Sequence, residues 1–372
     1  MKRVGITGQT GFVGTHLYNT LGLYDQKYVN IDFNKSFFED EALLDIFVGQ
    51  CDVIIHLAGI NRHPDPDVIY QTNVSLAEKL KASLIRTNSS AQVIFSSSSQ
   101  ELNDNLYGES KKAARGILHQ WAKQHGGSFA GMIIPNVFGS FGKPYYNSVV
   151  ATFCHQLNNN EEPKINVDVE VNLIYVDELV KKIIKAIDDK LDAASYPIPH
   201  TAVSKVSDIL ITLQSFKDKY LLKGIIPAFT SLFELNLFNT FRSYLNMHQY
   251  FPVQYKQHVD ERGAFTELNR LESGGQVSFS TTVPNITRGN HFHTRKIERF
   301  SVIKGHALIQ LRRIGTSDIL EFHLDGTNPA YVDIPIWYTH NITNIGNEEL
   351  YTVFWINEVY DPADADTYFE KV

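Results

Sequence analysis

The sequence predicts two architectures in one chain: an α/β doubly wound parallel sheet, then a small all-β jelly roll or barrel. Three observations predict them. Through about residue 185, short apolar runs alternate with stretches whose apolar residues recur every three or four positions. From about Pro252, short β-rich pieces follow one another across Gly, Asn and Asp turns, with no helical pattern between them. At 372 residues, the chain has room for about two domains of ~100–200 residues each.

The first runs, in order, are "RVGIT", "KYVNID", "CDVIIHLAG", "AQVIFSSSS" and "FAGMIIPNVFG". They are apolar throughout and separated by helical stretches such as "GTHLYNTLGL" and "SLAEKLKASLIRT", as a parallel sheet covered by helices on both faces requires. "VSDILITLQSFKDKYLLKG" and "SLFELNLFNTFRSYL" read as helices that finish this domain, which is expected to span residues 1–246. The second domain, 247–372, contains "GQVSFSTTV", "RFSVIKG", "HALIQLRRI", "YVDIPI", "HNITNIG" and "LYTVFWIN", closely spaced strands of a barrel or jelly roll.

Composition narrows the class. Hydrophobic content of 43% with 20% charged residues describes a globular protein. A net charge of -7 offers no basic surface for nucleic acid or an anionic membrane. Cys51 and Cys154 are far apart and form no CxxC pair, which fits free thiols in a reducing, cytoplasmic compartment. The first residues read as a strand rather than a secretory signal, and no apolar run reaches the ~20 residues of a bilayer crossing.

"TGQTGFVG" places Gly8, Gly11 and Gly14, with Phe12 and Val13 between them, after a strand and at a helix start. Such a turn brings backbone N–H groups against the pyrophosphate of a dinucleotide. Asp32 follows the next strand, 18 residues beyond Gly14, where a carboxylate can hold the adenosine ribose hydroxyls. Lys35 nearby suits a 2'-phosphate instead, so the choice between NADH and NADPH stays open. "YGESK" sets Tyr107 and Lys111 four apart, on one face of a helix. A lysine cation beside a phenol favours the phenolate and makes the pair a usable acid–base group.

Together with "HLAG" (Leu57, Ala58 and Gly59 follow its histidine), "TNV" at 72–74, the serine run and "PNVFG" at 135–139, these pieces resemble the extended short-chain dehydrogenase/reductase family over roughly residues 1–245. The resemblance implies a Rossmann-type fold, a cofactor held by the glycine loop and the HLAG segment, and a carbonyl substrate. Tyr107 would be its proton donor, Lys111 the tuner of that tyrosine, and Asn73 the supporting asparagine. Ser98, with Ser97 close behind, would polarise the substrate oxygen. Extended members with this layout act on nucleotide-linked sugars, which places Asn136 and Asn147 at the sugar and diphosphate.

In the second domain His291 and His293 share a strand face, being two apart. Glu298 has the opposite parity and joins them only if "TRKI" turns the chain, and His340 arrives from a distant strand. Three imidazoles and a carboxylate suit zinc or another divalent transition metal. The pattern HxHxxxxE, then Gly305 and a second motif ending in histidine, resembles the cupin signature across about 250–372. It departs from that signature at Asn285 and Trp337, where cupins usually carry glycine. "VDERGAFTEL" and "TRGNH" also resemble the nucleotide-sugar epimerase branch of cupins, in which the histidine after "RG", here His291, is a general base rather than a ligand. Asp260 and Arg262 read equally as an ion pair at a turn, and Lys296 and Tyr338 are further candidate bases beside the box.

Over essentially its whole length the chain is similar to bifunctional capsular polysaccharide enzymes that form UDP-2-acetamido-2,6-dideoxy-L-talose. The resemblance implies a cupin that epimerises C3 of a UDP-linked 4-keto-6-deoxy amino sugar and a reductase that delivers hydride from NADPH or NADH to C4. It also implies a homodimer. Two other readings are a single-activity reductase with a dimerising cupin and a non-catalytic nucleotide-sugar binding protein.

Overall fold

The computed structural model describes residues 1–372, which divide into two compact units: 1–153 with 164–209, and 154–163 with 210–372. The first begins β1 (Lys2–Thr7), α1 (Phe12–Gly22), β2 (Tyr28–Ile31), α2 (Glu41–Gln50), β3 (Val53–His56), α3 (Pro66–Arg86), β4 (Gln92–Ser98), α4 (Leu106–His125) and β5 (Ser128–Ile134). The chain continues with β6 (Asn136–Phe138), α5 (Val149–Asn158), β7 (Glu170–Tyr175), α6 (Val176–Asp188), β8 (Ala193–Pro197), β9 (Ala202–Lys205) and α7 (Val206–Phe216), of which α5 and α7 each begin in the first unit and end in the second. Six strands in the order β2-β1-β3-β4-β5-β8 form one wholly parallel sheet. All four residues of β3 are buried, as a central strand covered on both faces demands.

Alternation along the strands feeds two cores. Val53 and Ile55 pack with Leu17, Leu21 and Ile183 of α1 and α6. Ile54 packs on the opposite face with Phe47, Leu80 and Trp121 of α2, α3 and α4. The connection from β1 leads to β2 on one side while β3 lies on the other, so the chain reverses direction between β1 and β3. That reversal opens a crevice at the carboxyl ends of the strands, where ligands bind in open α/β sheets.

The second unit contains β10 (Ile225–Ile226), α8 (Leu232–Arg242), α9 (Met247–Tyr250), β11 (Val253–Gln254), β12 (Gln257–Asp260), β13 (Gly263–Thr266), β14 (Arg270–Leu271) and β15 (Gln276–Thr282). Then come β16 (Thr287–Phe292), β17 (Glu298–Lys304), β18 (His306–Arg313), β19 (Ile319–Asp325), β20 (Ala330–Ile334), β21 (Tyr338–Asn344), β22 (Leu350–Ile356) and β23 (Tyr368–Phe369). Two antiparallel five-stranded sheets, β11-β20-β17-β22-β15 and β19-β18-β21-β16-β23, form a jelly-roll-type domain. Their inner side chains share one core that includes Phe300, Val302, Ile309, Leu311, Phe322 and Ile342.

The helical segment 210–246, grouped by pattern with the first domain, packs in this second unit. The reason is a buried polar network on the outer face of β17 and β20. Arg299 and Asp333 form a bidentate pair at 2.7 and 2.9 Å, both side chains almost inaccessible to water. Tyr220 donates to Asp333 at 2.8 Å, and Arg242 of α8 donates to the Ile334 carbonyl at 3.2 Å. A buried charge pair needs such partners, and here they meet all but Nη1 of Arg299 and Nη1 of Arg242.

Candidate functional site

Helix α4 starts at a side-chain cap. Asn105 accepts from the Gly108 N–H at 2.8 Å, which sets Tyr107 in the first turn of α4. Gly108 is required there, because a Cβ would stand 2.0 Å from the Gln100 carbonyl oxygen. Burial pushes the Tyr107 phenol up, a hydrogen bond with the Ser98 hydroxyl pulls it down, and Tyr146 pushes it up again. Ser97 instead hydrogen-bonds Glu101, which is held by Arg115 at 2.7 and 2.9 Å. Of the two serines, Ser98 is the one in contact with the tyrosine.

Lys111, one turn on, is buried with its ammonium 4.7 Å from the centre of the Phe95 ring. Burial lowers it to about 8, partly opposed by Glu101. Asn73 lies outside the cavity wall and works through the backbone. It accepts from Ile60 N–H at 2.8 Å and donates at 2.9 Å to both the Ile60 carbonyl and Ser110, whose hydroxyl donates to the Tyr107 carbonyl at 2.7 Å.

A cavity of about 530 Å³ opens at the crevice, lined by Gly8, Gly11, Phe12, Val13, Gly14, Leu57, Gly59, Ser98, Tyr107, Lys111, Asn136 and Asn147. At its floor the loop after β1 is tight: Gly8 has φ +80, and a Cβ on Gly14 would stand 2.2 Å from the Gly8 carbonyl oxygen. No acidic residue lines this cavity, and α1 begins at its edge without a side-chain cap, so the first N–H groups are left for an anion. Asp32 and Ala58 are not in the wall. Asp32 accepts from the Tyr18 hydroxyl at 2.8 Å.

Asn136 donates to the Asn172 carbonyl at 3.2 Å, and Asn147 donates to the Asn61 carbonyl at 2.5 Å. That second bond belongs to a clasp between segments 60–62 and 145–147, with Asn61 N–H donating to the Tyr146 hydroxyl at 3.4 Å and Arg62 to the Tyr145 carbonyl at 2.5 Å. Tyr146 was missed in the sequence; its only signal there is an aromatic pair in "KPYYNS".

In the all-β unit, the turn needed to recruit Glu298 is present between β16 and β17. A bulge at Asn290, φ +60, sets His291 opposite His340 in the β16–β21 ladder. Donor atoms of His291, His293, Glu298 and His340 lie within 4.8 Å of one another. Glu298 Oε2 is 3.2 Å from His293 Nε2 and 3.0 Å from His340 Nε2, yet all three atoms are buried without hydrogen-bond geometry. A carbonyl oxygen can only accept, so the Asp366 and Tyr338 carbonyls, 2.5 and 3.2 Å from Nδ1 of His293 and His340, fix the proton on Nδ1. Nε2 of each ring is therefore the atom that faces the cluster. Burial, reinforced by His340, lowers His291 to about 4 and keeps it neutral. Burial opposes the charge on Glu298, but His293 and His340 outweigh it and hold the carboxyl far below its usual range. Against burial, the Glu298 carboxylate in turn favours the protonated form of His293. A cation between the ring nitrogens and the carboxylate would take the place of such protons, so the donor set fits a divalent transition metal.

Asn285 and Trp337 both adopt left-handed backbone, at φ +65 and φ +61. Trp337 holds this backbone while buried and stacked on Phe292. Arg262 and Asp260 pair at 2.6 Å across the exposed β12–β13 turn. Lys296 donates to the Ala365 carbonyl at 2.7 Å.

Residues 4–198 match the NAD dependent epimerase/dehydratase family, and residues 258–368 match the polysaccharide biosynthesis C-terminal domain. The chain is 34% identical over 370 residues, 98% of each chain, to UDP-2-acetamido-2,6-beta-L-arabino-hexul-4-ose reductase of Pseudomonas aeruginosa. It is similar to the crystal structure of capsular polysaccharide assembling protein CapF from Staphylococcus aureus, at 35% identity and a TM-score of 0.64, with all of both chains covered. RMD from Pseudomonas aeruginosa, solved with NADPH, shares the fold at 20% identity and a TM-score of 0.54, over 59% of this chain and 83% of that one.

Proposed function

The chain belongs to the NAD dependent epimerase/dehydratase family, and on that premise we propose a bifunctional nucleotide-sugar enzyme of capsule or O-antigen synthesis. Its substrate is UDP-2-acetamido-2,6-dideoxy-4-hexulose. The all-β unit epimerises C3, and the α/β unit reduces the C4 ketone to give UDP-2-acetamido-2,6-dideoxy-L-talose. The name of the Pseudomonas relative supports this substrate class. One observation carries the reading: a half-buried Tyr107 bonded to Ser98 in a cavity free of carboxylates, on the same chain as a largely buried His₃Glu cluster.

In the α/β unit, NADPH or NADH, when bound, supplies the hydride. Tyr107 donates its hydroxyl proton to O4, and Ser98 hydrogen-bonds that oxygen as negative charge develops on it. Lys111 stabilises the tyrosinate left behind. Gly8, Gly11, Phe12, Val13 and Gly14 seat the pyrophosphate, Asp32 the adenosine ribose, and Leu57, Ala58 and Gly59 the rest of the cofactor; Asn136 and Asn147 face the sugar nucleotide. In the all-β unit the 4-keto group acidifies the C3 proton, and His291, Lys296 and Tyr338 are the candidate groups to exchange it. His291, His293, Glu298 and His340 would hold zinc or a related ion, which when bound supplies Lewis acidity toward a substrate oxygen.

A second reading has its own support. Four converging protein donors describe a closed structural site, since catalytic sites keep a position open. The protein would then be a reductase stabilised by its all-β unit. NAD(P)H oxidation with the UDP-4-keto sugar, followed by analysis of C3 configuration, separates the cases. Inverted C3 that disappears in His291→Ala and His340→Ala supports two activities; unaltered products with lowered stability support one. Absence of NAD(P)H oxidation leaves only a binding protein. The same reading makes the protein a homodimer, and sedimentation as a monomer at micromolar concentration contradicts that.

A further inference from the structure

We propose that Asp366, on the C-terminal segment, is the positioning residue of the metal centre; this rests on reading the His/Glu cluster as a metal site. The turn 293–297 carries His293 at one end and delivers the chain to Glu298 at the other. Its three middle residues hang on one carboxylate. Asp366 Oδ1 accepts from Thr294 N–H at 3.1 Å and the Thr294 hydroxyl at 2.6 Å, and Oδ2 accepts from the N–H groups of Arg295 and Lys296 at 3.0 and 3.1 Å. The carbonyl of the same residue takes the Nδ1 proton of His293 at 2.5 Å. One buried residue thus sets the path between two ligands and the tautomer of one of them.

The segment is itself anchored. Asp366 is 6% exposed and adopts φ +42, and β23 immediately after it pairs with β16, placing Phe369 opposite His291. Lys296 donates to the neighbouring Ala365 carbonyl at 2.7 Å. Groups beyond the ligands orient a metal site, and their loss characteristically costs about 10–100-fold in affinity.

Asp366→Asn is the sharpest test. Asparagine tolerates the left-handed backbone and keeps the shape, but turns one acceptor into a donor facing N–H groups. Zn²⁺ affinity by chelator competition and the visible spectrum of bound Co²⁺ are measured on the full chain, beside the melting temperature of the metal-free protein. We expect Zn²⁺ binding weakened about 10–100-fold and an altered Co²⁺ spectrum in a variant that stays folded at the assay temperature, with some fall in the metal-free melting temperature from the lost hydrogen bonds. Thr294→Val removes a single hydroxyl contact and is expected to weaken binding several-fold; it decides the matter if Asp366→Asn fails to fold. Wild-type affinity in the folded variants overturns the proposal alone, as does a lowered melting temperature with unchanged affinity. Wild-type protein that binds neither ion overturns the metal reading, and this proposal with it.

Discussion

Ser97 and Ser98 carry the same chemistry and are separated by what they touch. Ser98 bonds Tyr107, whereas Ser97 is consumed by Glu101 and its Arg115 clamp. Tyr107→Phe, which removes the proton, is expected to lower reduction by about 10²–10⁴-fold. Ser98→Ala is expected to cost on the order of 10²-fold as an oxyanion donor. Ser97→Ala should cost less, because it loosens only the support; equal losses at both serines, in single-turnover kinetics, would contradict the assignment. Lys111 yields a stability prediction with a definite sign. Its folded value of about 8 lies below the ordinary 10.5, so between those pH values the unfolded chain binds more protons and stability rises with pH. The penalty, about 3 kcal/mol, is complete below pH 8 and gone above 10.5. Lys111→Met should therefore raise the cofactor-free melting temperature at pH 7, and the gain should shrink toward pH 10. A gain independent of pH would show that the ammonium is not strained by burial.

At the scale of elements, β17 is a strand with two duties. Glu298 and Phe300 face the inner core, while Arg299 and Ser301 face the network that reaches Tyr220 and Arg242. Removing one partner leaves the other charge buried, so Asp333→Ala should destabilise the all-β unit by about 3–5 kcal/mol. Tyr220→Phe removes one neutral donor to that charge and should cost about 1.5–3 kcal/mol. Denaturation followed by tryptophan fluorescence checks both, and equal small effects would mean that the network does not hold these elements together. This duty also explains what the sequence concealed. Apolar spacing in "SLFELNLFNTFRSYL" says that the helix buries a face, not which domain receives it, and residues 210–246, expected with the first domain, group with the second unit. Strand parity, by contrast, was readable: HxH on one face, a turn, then glutamate needs only local geometry. Asp366 gave no such signal, because an aspartate in "DPADADTY" gains its meaning from a turn some seventy residues earlier in the chain.

For the molecule as a whole, the glycine loop, "YGESK" and the HxHxxxxE box were legible because each is a short-range demand of backbone or helix spacing. The closure of the cavity by Tyr146 and Asn61 was not, since it joins segments 85 residues apart. No helix is long and apolar enough to cross a membrane. What unites the two units in this account is a shared functional group: the C4 carbonyl that activates C3–H for one is the electrophile for the other. The direct measurement is deuterium entry at C3 when the UDP-4-keto sugar is incubated with the protein in D₂O without NAD(P)H. The account predicts incorporation that survives Tyr107→Phe and is lost in His340→Ala; no incorporation above the enzyme-free rate, in protein that still oxidises NAD(P)H with the same sugar, would contradict it.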